Sequence, residues 1–131
     1  MNLNFASTDF GDEEMEAVNR VLESKWLASG SENEAFEKEF ADYIGVEYAV
    51  AVNSGSSANL LALSALKIKP DGKVLTSSCG FPATLSPILH LGLQPDLVDY
   101  DLNTHNIDLR QIFFEKRNEI KAIIFAHTLG N

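Results

Sequence analysis

The stretch Asn53-Ser54-Gly55-Ser56-Ser57-Ala58-Asn59-Leu60-Leu61 follows directly on the apolar run Tyr48-Ala49-Val50-Ala51-Val52. Where a strand hands over to a helix, unbonded backbone N–H groups and the positive end of the helix dipole converge on one point. Such a point binds an anion, most naturally a phosphate. Gly55 allows close backbone approach, and the hydroxyls of Ser56 and Ser57 can donate further bonds. The turn is not a Walker loop, because no lysine follows the glycine, and not a dinucleotide fingerprint, because the second and third glycines are missing. The same residues would also serve a plain helix start, with Ser56 or Ser57 as its cap.

Phe81, in Cys79-Gly80-Phe81-Pro82-Ala83-Thr84, stands just past a second strand candidate, at the edge where open α/β sheets place ligands. It can stack on a flat ring or belong to the core. Cys79 has no identifiable base beside it and fits a small buried residue better than a nucleophile. His90 and His105 lack ligand-spaced partners and fall at a helix end and in a loop, while His127 stands at a strand end, where a structural role is the simpler one. Asp99, Asp101 and Asp108 could suggest a metal, but Tyr100 and Leu102 alternate with the first pair and no further carboxylates converge. A strand end and a helix cap account for them.

Around these residues the elements follow from periodicity. Met15, Val18 and Leu22 recur at helical spacing over 12–25, giving a surface helix. A second spans 31–44, with Ser31 and Glu34 at capping-box spacing, an apolar stripe of Phe36, Phe40, Tyr43 and Ile44, and Gly45 as the stop. From Glu47 onward, strand candidates at 48–52, 74–77, 97–100 and 122–126 alternate with helices at 57–66, 82–91 and 108–118. That rhythm predicts an α/β domain with a mostly parallel sheet and flanking helices, because parallel neighbours need crossover connections. The helix at 57–66 is apolar nearly all round, which predicts burial on more than one side. Lys69-Pro70-Asp71-Gly72 signals a turn, and Asp108 with Gln111 another cap. Two regions are expected, 1–45 carrying the helices and 46–131 the α/β part. The last residues, His127-Thr128-Leu129-Gly130-Asn131, come straight after a strand candidate, so the sequence is expected to be the first part of a longer one.

Composition excludes several partners. The 131 residues carry a formal net charge of −9 without a Lys/Arg cluster, which argues against nucleic acid and an anionic membrane. No run approaches the ~20 apolar residues of a membrane-spanning helix. The start lacks the basic-then-apolar order of a signal peptide, and the single Cys79 cannot close an internal disulfide, so a cytoplasmic location is expected.

Taken in order, several stretches resemble the DegT/DnrJ/StrS family of pyridoxal-phosphate enzymes acting on nucleotide-linked keto sugars. Trp26-Leu27-Ala28-Ser29-Gly30 and the helix from Glu34 to Ala41 resemble its opening helices. Val52 to Ala58 resembles its cofactor-phosphate turn, Gly80 to Thr84 its ring-stacking segment, and Val98 to Asp101 with Asn106-Ile107-Asp108 its third strand and next helix start. The resemblance implies the large domain of a fold-type-I (aspartate-aminotransferase-like) enzyme, a homodimer, pyridoxal 5′-phosphate as cofactor and a nucleotide-linked sugar as substrate. It implies that Gly55 and the N–H groups of Ser56 and Ser57 meet the phosphate, that Phe81 stacks on the pyridine ring, and that Trp26, Ser29 and Gly30 lie near the sugar. It also implies that 74–77 lies between 122–126 and 97–100 in the sheet, with 48–52 kept apart by strands supplied later.

Ser-Gly-Ser-Ser-Ala-Asn-Leu-Leu and the closing His-Thr-Leu-Gly-Asn are most similar to the branch that removes a 3-hydroxyl from a CDP-linked 4-keto-6-deoxyhexose. Most aminotransferase members instead carry a Thr-Ala pair after the turn glycine and a Tyr-Gly-Gln-like ending. The family's acidic partner of the pyridine nitrogen and its catalytic lysine, a histidine in the dehydrase branch, have no counterpart here, so a chain without catalytic residues, inactive alone, is expected. The alternatives are an aminotransferase portion, a non-catalytic phosphate-binding or dimer-partner module, and an α/β domain unrelated to this chemistry.

Overall fold

Lys25 and Gly45 end the first two helices by the same device, a residue turned into the left-handed region. In the computed structural model, which describes residues 7–114 and 119–130, α1 spans Asp12–Ser24 and closes at Lys25 (φ 58), and α2 spans Ser31–Ile44 and closes at Gly45 (φ 79). The Gly45 N–H donates to the Ala41 carbonyl at 2.9 Å, which satisfies one of the last carbonyls of α2. The expected capping box on Ser31 does not form. Gly30 is the N-cap, without a side-chain bond, and Ser31 is already the first helical residue.

These helices belong to the first of two compact units, Met1–Ala51 and Val52–Asn131. In the first, Arg20 reaches Glu32 at 3.2 Å across an exposed surface, and the Phe36 and Phe40 rings lie 5.7 Å apart. The stripe of α1 is surface, as its spacing predicts: Met15, Val18 and Leu22 are each about half exposed. Residues 48–52, expected as a strand, form no ladder. The Ala51 N–H is satisfied instead by the Glu37 carboxylate at 2.7 Å, a side-chain solution to a backbone requirement that a neighbouring strand would otherwise meet.

The second unit is built on a parallel sheet. β1 (Lys73–Ser77) lies between β2 (Gln94–Val98) and β5 (Ile120–Ile123), the order the resemblance implies. Strand alternation sends Val74 to one face and Leu75 to the other. On the first face, Val74 joins Leu63 of α3 (Gly55–Ala65) and Ile88 of α4 (Pro82–His90) in one core cluster. On the second, Leu75 and Val98 join Ile107, with Ile112 of α5 (Leu109–Phe114) packed against them. The sheet is therefore covered on both faces, as parallel sheets require.

Several elements differ from expectation. α3 starts two residues earlier than the periodicity suggests and is not buried all round: Leu63 is buried, but Leu61 and Leu66 are more than half exposed. Its cover among the described residues is α4 and the sheet. The strand expected at 97–100 begins at Gln94, pairing Pro95 with Val74, and ends at Val98. A short antiparallel pair then follows, β3 (Tyr100–Asp101) and β4 (Asn106–Ile107). The turn at 69–72 forms as expected, with the Gly72 N–H on the Lys69 carbonyl at 3.0 Å. Part of the helix expected at 108–118 lies outside the described residues.

Candidate functional site

The cap of α3 is Ser54, not Ser56 or Ser57. With extended backbone (φ −164, ψ 159), Ser54 accepts the Ser57 N–H on its hydroxyl at 3.2 Å. Asn53 joins the cap by accepting the Ser57 hydroxyl at 2.6 Å. The Ala58 N–H closes a helical bond on the Ser54 carbonyl at 3.0 Å. Among the described residues, the N–H groups of Gly55 and Ser56 have no protein partner at the positive end of the helix. Both residues are exposed. A Cβ on Gly55 would meet nothing within 4 Å, so the fold itself does not require glycine there. What the missing side chain leaves is open access to those N–H groups. Of the expected phosphate donors, the Ser56 N–H is without a partner among the described residues and that of Ser57 is engaged, while Gly55 offers an N–H of its own.

Phe81 is the residue before α4, with φ −78 and ψ 139, and Pro82 takes the first helical place, where a missing N–H costs nothing. Its ring is 78% exposed and joins neither core cluster. Among the described residues Phe81 is therefore not part of the core. Cys79, expected to be buried, is exposed, because the chain leaves the sheet after Ser77 and carries residues 78–81 past its edge.

The turn at 54–57 and Phe81 share one edge. α4 runs from the carboxyl end of β1 back to the start of β2, α3 leads into the start of β1, and the Asn59 side-chain amide donates to the Ala83 carbonyl at 3.1 Å. The structure thus brings Gly55, Ser56, Ser57 and Phe81 to the edge where α/β sheets hold ligands. Asn53, Ser54 and Asn59 are the residues of this edge that sequence reasoning missed. The signal for Ser54 was its place immediately before the glycine.

Trp26, Ser29 and Gly30 lie in the first unit. The Trp26 indole N–H donates to the Ser29 carbonyl at 3.1 Å, and the ring lies over Gly30, where an added Cβ would stand 2.8 Å from Nε1. Glycine is needed there for close approach of the indole. Trp26 and Gly30 line a cavity of about 260 Å³ whose polar rim is Arg20, Ser24 and Glu32.

The acidic residues resolve as a strand end and a cap. Asp101 accepts the backbone N–H groups of Asn103 and Thr104, and these bonds, led by Asn103, hold its carboxyl below the usual range. Asp108 accepts the Arg110 guanidinium at 2.8 and 3.0 Å and the Arg110 N–H at 3.0 Å; the guanidinium bonds chiefly lower its pKa and raise that of Arg110. Among the described residues no group of acids and histidines is placed to hold a metal. A cavity of about 430 Å³ beside Asp101, Asp108 and Arg110 is also lined by Phe125 and His127, whose rings lie 5.1 Å apart.

The sheet with its helical faces has the α/β arrangement of the fold-type-I pyridoxal-phosphate enzymes. The chain belongs to the DegT/DnrJ/EryC1/StrS aminotransferase family, whose profile matches residues 8–131. It is 42% identical over 129 residues to the lipopolysaccharide biosynthesis protein RfbH of Salmonella typhimurium, covering 92% of this chain and 30% of that one. It is 41% identical over 128 residues to the dTDP-4-dehydro-2,6-dideoxy-D-glucose 3-dehydratase of Saccharopolyspora spinosa, covering 92% and 28%. It superposes at a TM-score of 0.88, with 34% identity, on a crystal structure of GDP-4-keto-6-deoxymannose-3-dehydratase with a trapped PLP–glutamate geminal diamine, covering 93% of this chain and 33% of that one. The chain thus spans about a third of the length of these relatives.

Proposed function

We propose that this chain supplies the phosphate-anchoring part of a pyridoxal-phosphate-dependent enzyme that removes the 3-hydroxyl of a nucleotide-linked keto-deoxy sugar. The observation that carries the reading is the pair of unpartnered N–H groups on Gly55 and Ser56, beside an exposed Phe81 ring on the same edge. The residues fit the cofactor: an open cradle at Gly55 for a dianionic phosphate, and a flat apolar face for an aromatic ring. A phosphate seated there would accept from Gly55 and Ser56 and compete with the Ser54 hydroxyl for the Ser57 N–H. When bound, the cofactor supplies an electron sink; the chain's own residues hold and orient it.

Dehydration is favoured over transamination by the Ser56-Ser57 pair after the glycine and by the 3-dehydratases among the relatives. Trp26, Ser29 and Gly30 are assigned to the sugar side, the homodimer and cytoplasmic setting follow the family resemblance, and 1–45 and 46–131 are the corresponding functional regions. None of the residues bonded around the turn is an acid or base that could move a proton at the cofactor. The chain alone is therefore expected to anchor the cofactor weakly and to turn nothing over, because groups that act as a unit leave little when some are missing.

The test is titration of the chain with pyridoxine 5′-phosphate, which has no aldehyde to form imines with surface lysines, followed by amide chemical shifts. Shifts centred on Gly55 to Ser57 and on Phe81 are expected, with no dehydration or transamination of nucleotide sugars. Shifts elsewhere would refute the phosphate site, and turnover that copurifies with the chain would refute the inactivity.

A further inference from the structure

α4 contains a proline, Pro87, buried in its interior. Proline has no N–H, so the carbonyl four residues earlier loses its helical partner. That carbonyl is Ala83, and it is the one that accepts the Asn59 side-chain amide at 3.1 Å. Asn59 stands one helical turn after Gly55, on the same side of α3, and Ala83 stands two residues after Phe81. The bond therefore ties α3, one turn in, to the first turn of α4, the two helices whose starts carry the turn at 54–57 and the exposed ring. Above it, at Gly55, space is open.

We propose that Asn59 is a positioning residue: by capping the carbonyl that Pro87 frees, it fixes the separation between the phosphate turn and Phe81. This rests on the cofactor reading above. The proline creates the vacancy and the asparagine fills it from the neighbouring helix, so a break within one helix becomes a link between two. A bond within α4 would satisfy Ala83 equally well but would leave the starts of α3 and α4 held by apolar packing without a directional bond between them.

The two roles of Asn59, satisfying a carbonyl and holding a distance, separate in a mutant cycle. Asn59→Ala alone should lower the folding equilibrium constant about tenfold, the scale of one orphaned polar group. In a Pro87→Ala background, where residue 87 again donates to Ala83, the same change should cost less than about threefold. Affinity for pyridoxine 5′-phosphate should follow the other rule. It should fall at least about threefold with Asn59→Ala in both backgrounds, because restoring the bond within α4 does not restore the link. Equal stability costs in the two backgrounds would overturn the carbonyl account. Unchanged affinity in Asn59→Ala, with the wild type binding at Gly55 to Ser57, would overturn the positioning role alone. Absence of binding at that turn in the wild type would remove the cofactor reading, and the positioning role with it.

Discussion

Gly55→Val separates what the fold needs from what a ligand needs. The glycine has an ordinary backbone conformation and open space where a Cβ would stand, so the substitution meets no clash. Replacing glycine at a compatible position restricts the unfolded chain and is worth roughly 0.4–1 kcal/mol for alanine, somewhat less for a β-branched side chain in a helix. Thermal stability should therefore stay level or rise slightly. Binding should move the opposite way. A hydrogen bond to a charged group contributes about 1.5–3 kcal/mol, and the valine methyl groups obstruct the approach to the Gly55 and Ser56 N–H groups. Losing one such bond weakens pyridoxine 5′-phosphate binding by roughly tenfold to a hundredfold. Ser56→Ala keeps both backbone donors and should cost only about 0.5–1.5 kcal/mol. Amide shifts titrated against ligand give the affinities, and thermal denaturation gives the stabilities. Equal affinity for wild type and Gly55→Val would refute the turn as a phosphate site.

Phe81→Leu should weaken the same binding by about 0.5–1.5 kcal/mol with thermal stability unchanged, since the ring is largely exposed; lost stability with unchanged affinity would return Phe81 to a packing role. Gly30→Ala should displace the indole of Trp26, the single tryptophan, and shift its fluorescence emission, with at most about 1.5 kcal/mol of stability lost with the bond to Ser29. Asp108 ionises more readily folded than unfolded because of Arg110. Its contribution is therefore complete above the ordinary value of 3.8 and is lost as pH falls through its lowered folded value. An Asp108→Asn chain should show a shallower acid-induced loss of stability over that range, and an equally steep one would contradict the assignment.

Local signals placed most elements, and tertiary ones explain the misses. Gly45 after an apolar stripe fixed the end of α2, but Ser31 looked like a cap because its spacing to Glu34 was right. Which residue adopts extended backbone depends on how the chain enters the helix, and here Gly30 does so under the Trp26 ring. Similarly, Ser54, Ser56 and Ser57 are interchangeable as letters, and their geometry selects Ser54. β2 was placed late because Pro95 and Asp96 are poor strand formers; at the edge of the described sheet they are tolerated. The pair β3–β4 is too short to show alternation. The Asn59–Ala83 bond was illegible for a deeper reason: its cause, Pro87, and its remedy lie on different helices. The positions of the turn at 54–57 and of Phe81 at helix starts were legible because their residue types mark the ends of elements.

The order of the sheet sets a hierarchy in time. β1 alone among the described strands is bonded on both sides and clothed on both faces, so its amides should be the last of the sheet to exchange with solvent, while β2 and β5 should fray from their outer edges. The segment carrying Phe81 leaves directly from the end of this slowest strand. The turn at 54–57 instead stands on α3, where Leu61 is half exposed. Amide exchange should accordingly be slower at the base of the Phe81 segment than along the exposed side of α3.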